Sequence, residues 1–375
     1  MTLSSGATAP LNLNARPATT PLTGRIDAID LARGVAVGLM ILSHGIKGLL
    51  DFDQFAPWGI VPLHLITKFS SSLFILVFGI ALGAAFLPRV GTADWPRYRL
   101  KLFLTGFKVL FWYKVLTVVE LFATVDPSLI VGALLYELFP SFVEVLGFYA
   151  IALLWVPFFL SLWAQMPLWL RLLSPVLMVV AAESLRAWNG IHSLPLKAIL
   201  IEDEGVYTWG QLTRGPLVLV GLLIGEGLRV SQENWRLRLR LIATLGGVSV
   251  VCALVFVALA WPNFQRTFYN LAYNVGKHPP QATFMAFSLA GAFAILALSL
   301  FGGRALALLL RPVSIIGSNS LQAFIFHIVV IFVGFRFLLG LDDTISYGQA
   351  LTLTLGLIVA TALWIKLIDL FRRYS

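Results

Sequence analysis

The stretch RIDAIDLARGVAVGLMILSH, residues 25–44, holds an aspartate, an arginine and a histidine at a spacing that a helix lines up. Between Arg33 and His44 there are eleven positions, so at 100° per residue His44 returns to within about 20° of the Arg33 direction, ~16 Å further along the axis. Asp30 lies about 40° off the same line. An imidazole titrates near neutral pH and can take the proton of an attacking hydroxyl, and a guanidinium on the same stripe can hold an anionic group. A plainer reading stands beside this one: Asp30 and Arg33 as an ion pair at a membrane surface, and His44 as a packed histidine bonded to a neighbouring helix.

A helix carrying that stripe must itself be held in place, and the composition says in what solvent. Apolar residues make up 59% of the 375 positions and charged ones only 12%, against roughly 25% charged in a soluble domain. No soluble fold of this length has enough interior to hide so much apolar surface. Apolar runs long enough to cross a ~30 Å hydrocarbon layer recur near 31–50, 64–87, 101–123, 141–163, 167–187, 210–229, 240–261, 280–302, 317–340 and 346–371. The expectation is an all-α polytopic membrane protein, about ten helices in one bundle spanning 25–375, behind a disordered cytoplasmic tail over 1–24 that lacks the apolar core of a signal peptide.

Charge sets the expected orientation. Arg33, Arg89, Arg97, Arg99, Lys101, Arg171, Arg229, Arg236, Arg238, Arg240, Arg304, Arg311 and Arg372 fall at alternate ends of the spans, while Asp51, Asp53, Asp126, Glu202, Asp203, Glu204, Asp342 and Asp343 fall at the others. Basic residues gather in cytoplasmic loops, so both termini are expected inside, in a cell (inner) membrane. The net charge of +9 is then a consequence of topology rather than a sign of nucleic acid. One cysteine, Cys252, makes no internal disulfide, and five histidines without C-x-x-C pairs suggest no metal. Gly79/Gly83 and Gly221/Gly225 have the spacing at which helix backbones approach closely.

The pattern R-x(4)-D-x-x-R-G-x(9)-H, carried by Arg25, Asp30, Arg33, Gly34 and His44, resembles the opening of the acyltransferase-3 family. That family belongs to the wider transmembrane acyltransferases, with the periplasmic-glucan modifying enzymes and the heparan-α-glucosaminide N-acetyltransferases. LFILVFGIALG (73–83), RYRLKL (97–102) and IGSNSLQAFIFH (316–327) are similar to later segments in the same order. The resemblance implies ten core helices and transfer of an acyl group, of acetyl or succinyl type, from acyl-CoA to a hydroxyl or amino group of a glycan or other envelope acceptor. It also implies that His44 is the catalytic histidine and that Arg33 helps bind the donor, which is a substrate and not a tightly bound cofactor. Two departures are visible: Arg97-Tyr98-Arg99 stands where the family often has R-x-x-R, and FAPWG (55–59) has Phe55 where the heparan-type enzymes place a loop histidine.

Other constellations fit around that reading. Arg97, Lys101 and Lys108 share one helix face, and such a ladder suits donor phosphates, although basic residues also gather at inner helix ends for topology alone. Lys114 lies deeper still and Glu120 near the outer end, places from which either could line the same cavity. Asn319, Ser320 and Gln322 open the ninth span, with His327 seven positions after Ser320. They read either as a cap with interhelical bonds or as groups contacting the thioester or the acceptor, with His327 as second-choice base. His64 and His278 read as loop or cap residues, and Ser70-Ser71-Ser72 lacks the G-x-S-x-G elbow of a serine nucleophile. From another class, a transporter or flippase using the stripe as a proton or anion relay remains the alternative.

Overall fold

In hydrocarbon every backbone N–H and C=O must be satisfied within the protein, and a chain this apolar meets that demand with helices. The computed structural model describes residues 26–122 and 127–374; the 1–24 tail, Arg25 of the opening pattern and Asp126 lie outside them. The fold is all-α. Its long helices are α1 (Asp27–Leu49), α2 (Pro62–Arg89), α3 (Trp95–Leu121), α4 (Glu144–Trp163), α5 (Leu168–Trp188), α6 (Gln211–Val230), α7 (Trp235–Ala260), α8 (Ala282–Leu309), α9 (Ser320–Leu338) and α10 (Tyr347–Tyr374).

Among the described residues, nine of these are long and apolar enough to cross a membrane. The expected sixth span, 210–229, is the exception by composition, because α6 carries Arg214, Glu226 and Arg229. Two of those charges are matched inside the bundle. Arg214 pairs with Glu202 at 2.6 Å and Glu226 accepts from Arg171 at 2.8 Å and from the Trp163 indole at 2.6 Å. α6 lies along α2, and the small residues decide how closely. A methyl group on Gly79 or Gly83 would strike the Val218 or Leu222 carbonyl, and one on Gly221 or Gly225 would strike the Leu76 or Ile80 carbonyl. The two GxxxG pairs therefore face each other. Lipid gives helices no hydrophobic reason to associate, so such backbone contact and its dispersion energy hold them together.

α1 packs against α2, α8, α10 and a short helix, Arg311–Ser318, that precedes α9. Ala32, Ala36, Val37, Ile41 and Ile46 are fully buried in those contacts. By contrast α5 and α7 lie on the outside and show Val176, Val180, Val251 and Leu254 at the surface, the face that lipid takes. The expected span over 317–340 forms as α9 and begins at Ser320, after the end of the short helix. Asn319, at φ −141° and ψ 61°, breaks the chain between the short helix and α9. Just before that turn the short helix crosses α1 closely: Gly317 lies against the Asp30 carbonyl and Gly34 against the Val313 carbonyl, with room for a side chain at neither. That crossing fixes α1 against α9 and sets the two histidines of the site in register.

Candidate functional site

The stripe on α1 is real, and its two ends do different things. At the first, Arg33 donates to Asp30 at 3.3 Å and to the Gly317 carbonyl at 3.2 Å. A guanidinium at the last carbonyls of the Arg311–Ser318 helix meets the negative end of its dipole, so Arg33 also ties the interrupted helix to α1. Asp27, Asp30, Arg304, Arg311 and Asp369 line a shallow pocket beside it.

At the other end His44 meets His327. The His44 Nδ1 lies 3.1 Å from the His327 Nε2, and the His327 Nδ1 lies 2.9 Å from the Ala323 carbonyl, one helical turn back. A carbonyl only accepts, so the His327 Nδ1 carries the hydrogen and its Nε2 is a lone pair. That lone pair accepts from the His44 Nδ1, which leaves the His44 Nε2 as an acceptor. Phe142 and Phe324 set their rings edge-on to His44 and fix its plane. The sequence placed His327 only as a contact residue or second-choice base; the fold makes it the partner that sets the His44 tautomer.

His44 lines a cavity together with Ser43, Lys68, Glu144, Asn274 and Lys277. The void holds about 50 Å³, room for a few water-sized groups rather than an intact sugar ring. Lys68, on α2, is buried and donates to the Ala272 carbonyl at 3.0 Å and the Asn274 Oδ1 at 2.8 Å. Glu144, the first residue of α4, accepts from the Trp209 indole at 3.2 Å and faces the Lys277 ammonium at 3.9 Å. Sequence reasoning passed over Lys68 and Glu144. The signal was there, since ionisable groups inside apolar runs are costly, but each stands at the edge of a span where a single charge is easily read as an end marker.

Beyond Glu144 the loops are clamped. Arg214 grips Glu202 with Nε at 2.6 Å and Nη2 at 3.0 Å, and Glu202 accepts from the His278 Nδ1 at 2.9 Å. Burial alone would raise the Glu202 carboxyl, but Arg214 first and His278 second outweigh it and hold it down to about 2. Burial, and then the positive Lys277, keep His278 neutral down to about 3. The His278 ring is stacked on Tyr207 at 4.1 Å. It is a loop residue, as expected, and its part-buried ring ties the segment after Leu200 to the segment before α8.

The remaining expected site residues stand apart from this cavity. Arg97, Lys101 and Lys108 do share a face of α3, as the spacing requires, and line an exposed groove with Tyr98, Leu104 and Thr105, none of which lines the His44 cavity. Asn319, Ser320 and Gln322 sit at the break beside Gly317, and Asn319 makes no side-chain cap. Seven residues of helix, roughly 10 Å, separate Ser320 from His327. Lys114 donates to the Leu134 carbonyl at 2.7 Å, at the end of the short helix Pro127–Leu134, and Glu120 accepts from the Ser141 amide at 2.7 Å, so both hold neighbouring backbone and neither lines the cavity.

Two family models match the chain. The model described as heparan-alpha-glucosaminide N-acetyltransferase, catalytic, matches residues 25–201, and the model described as OpgC protein matches residues 116–370, more than half of the chain. His44 falls in the first match and His327 in the second. Both are membrane acyltransferase families, as the suspected superfamily requires, and neither is the acyltransferase-3 family itself. No curated protein matches the chain significantly.

Proposed function

The chain belongs to the OpgC family of membrane acyltransferases, and from that premise we propose that it moves an acyl group from acyl-CoA, bound from the cytoplasmic side, to a hydroxyl or amino group of an envelope glycan. The observation that carries this reading is the chain of bonds from the Ala323 carbonyl through His327 to the Nδ1 of His44, a residue that lines the cavity, which leaves its Nε2 as the acceptor. As the acceptor oxygen attacks the thioester carbon, its proton passes to the His44 Nε2 and the C–O bond forms. When the C–S bond breaks, the sulfur leaves as thiolate and takes that proton back from the imidazolium. The sum is one ester and one free thiol, with no proton gained or lost and no metal required. Because the cavity is narrow, the acceptor reaches His44 with a single arm, such as a hydroxymethyl group, while its rings stay outside.

For the donor, two basic surfaces compete. The pocket beside Arg33 is lined by three acids, Asp27, Asp30 and Asp369, against two bases, Arg304 and Arg311, whereas the α3 groove holds Arg97, Lys101 and Lys108 and no carboxylate. Phosphates favour the second, with Arg33 nearer the thioester arm. A transferase family and a base-ready histidine favour acyl transfer over the transporter alternative. The test is direct: purified protein is given acetyl- or succinyl-CoA with and without glucan oligosaccharides, and free thiol is measured. The reading expects thiol release that rises with acceptor and an acylated glycan among the products. Protein that releases no thiol with any donor or acceptor contradicts it.

A further inference from the structure

Trp58, Tyr347 and His64 form a fixed aromatic surface at the end of the bundle where α1 closes and α10 begins. The Trp58 indole lies flat on the Tyr347 ring, with centroids 4.2 Å apart and planes 6° from parallel. The Tyr347 hydroxyl is 2.8 Å from the Nε2 of His64, which is buried on α2, so the stack is pinned to that helix. Trp58 is nonetheless 42% exposed. Direct contacts join the stack to the cavity: the Thr67 hydroxyl donates to the His64 carbonyl at 2.6 Å, and Thr67 and His44 line the same void. A second exposed ring, Phe52, packs on Tyr273 at 4.9 Å, next in sequence to the cavity-lining Asn274. The exposed Asp51 and Asp53 flank Phe52, and the exposed Asp343 is held to the same turn by its carbonyl, which accepts from Gln54 at 3.0 Å.

A pyranose ring has a face of C–H groups and an edge of hydroxyls. The C–H face suits the electron-rich face of an indole, as the edge of another aromatic ring does, and the hydroxyls donate to carboxylates. We propose that Trp58, stacked on Tyr347, is the platform for a sugar ring of the acceptor, with the carboxylates around Phe52 accepting from its hydroxyls. The proposal rests on the acyl-transfer reading above and names the surface that holds the rings kept out of the narrow cavity. The competing role is that of an indole anchored at the membrane interface. An anchor needs no partner on its face, whereas this indole is stacked on a ring that is itself bonded to a buried histidine. The acids argue the same way, because carboxylates repel the phosphates of lipid headgroups and take the hydroxyls of a sugar.

Acceptor length separates the two roles. Full-length protein in nanodiscs of neutral lipid and its Trp58→Leu and Trp58→Tyr variants are given glycerol or unmodified linear glucan oligosaccharides of increasing length. Leucine keeps an apolar surface without a flat face, and tyrosine keeps the face. The ratio kcat/KM is read for each acceptor from thiol release, and oligosaccharide binding is read by calorimetry without donor. Wild type is expected to prefer the longer glucans over glycerol. Trp58→Leu should reduce that preference, and weaken glucan binding, by about tenfold while the donor KM moves by less than about twofold, as loss of one aromatic contact does. Trp58→Tyr should recover most of the loss. Equal preference in wild type and Trp58→Leu overturns the platform, as does a loss shared in proportion by glycerol and glucan, which marks an anchoring or packing indole. Should Trp58→Leu not fold, protein labelled with 5-fluorotryptophan carries the test. The Trp58 fluorine signal, identified by its loss in Trp58→Tyr, should shift when glucan is added, and a signal that glucan leaves in place contradicts the proposal. Wild type that binds glucan but releases no thiol overturns acyl transfer, while the calorimetric comparison or the fluorine shift still decides the platform.

Discussion

In the proposed mechanism the two imidazoles divide the work of one base. His44 has the open nitrogen, and His327 holds it in the right tautomer because its own Nδ1 is committed to the Ala323 carbonyl. His327→Phe keeps a ring of similar shape but removes the acceptor, so His44 is free to adopt the wrong tautomer. Turnover should fall by about 10- to 100-fold while donor affinity is kept, a split read from kcat and KM. An unchanged kcat would make the contact mere packing. On α3, Lys101→Glu with Lys108→Glu replaces attraction for phosphates by repulsion, and the donor KM should rise several-fold while the acceptor KM is unmoved. An unchanged donor KM places the phosphates elsewhere. That Arg33 and His44 lie on one long helix, eleven positions apart, was legible from the sequence. The pairing with His327 was not, because 283 residues separate them and no local pattern records which faces of α1 and α9 meet.

Elements are positioned here by missing side chains and by buried charge. Gly34→Ala and Gly317→Ala each push α1 off the Arg311–Ser318 helix, since the new methyl meets backbone and not a side chain that can turn aside. Each should cost roughly 1–3 kcal/mol in detergent unfolding, as overpacking does. Gly38→Ala, which meets open space, is the control and should leave the midpoint unmoved. The loop clamp is a different device. Breaking the buried Arg214–Glu202 pair with Glu202→Gln should cost about 3–5 kcal/mol, because the guanidinium is left buried without its partner. Acid should weaken the same clamp. His278 is neutral in the fold down to about 3 against an ordinary 6.5, and Glu202 is ionised down to about 2 against 4.5. Their contribution is therefore full above pH 6.5, falls from 6.5 toward 3 because the imidazole takes a proton in the unfolded chain and not in the fold, and falls further from 4.5 toward 2 because the carboxylate is protonated in the unfolded chain before it is in the fold. In thermal melts His278→Gln should flatten the upper part of that fall and leave the lower part. The GxxxG pairs on α2 and α6 were readable as packing sites, and they face each other. The start of α9 at Ser320 was readable from the polar Ser318-Asn319-Ser320 cluster, whereas the close crossing of Gly34 and Gly317 just before it was not, because the two glycines are far apart in sequence.

At the scale of the molecule, hydropathy fixed the class and nearly all the spans, since lipid leaves the backbone few alternatives. It read less well where charge is buried: α6 keeps its place in the bundle because Glu202, Arg171 and Trp163 answer its charges, which no window average records. The proposed orientation predicts that a reporter fused after Ser375 is cytoplasmic and one inserted near Asp203 is external, and the opposite labelling would invert the donor side. The account as a whole requires that donor binding and chemistry reside at separate places along the membrane normal, with Arg33 and His44 ~16 Å apart on one helix. The most direct test is His44→Gln in the purified protein, with acyl-CoA binding and single-turnover transfer measured on the same sample. Glutamine can keep a hydrogen bond to His327 but cannot take a proton at neutral pH. The account predicts near-normal acyl-CoA binding with transfer slowed by ~10²–10⁴-fold. Transfer within a few-fold of wild type would contradict it and remove His44 from the chemistry.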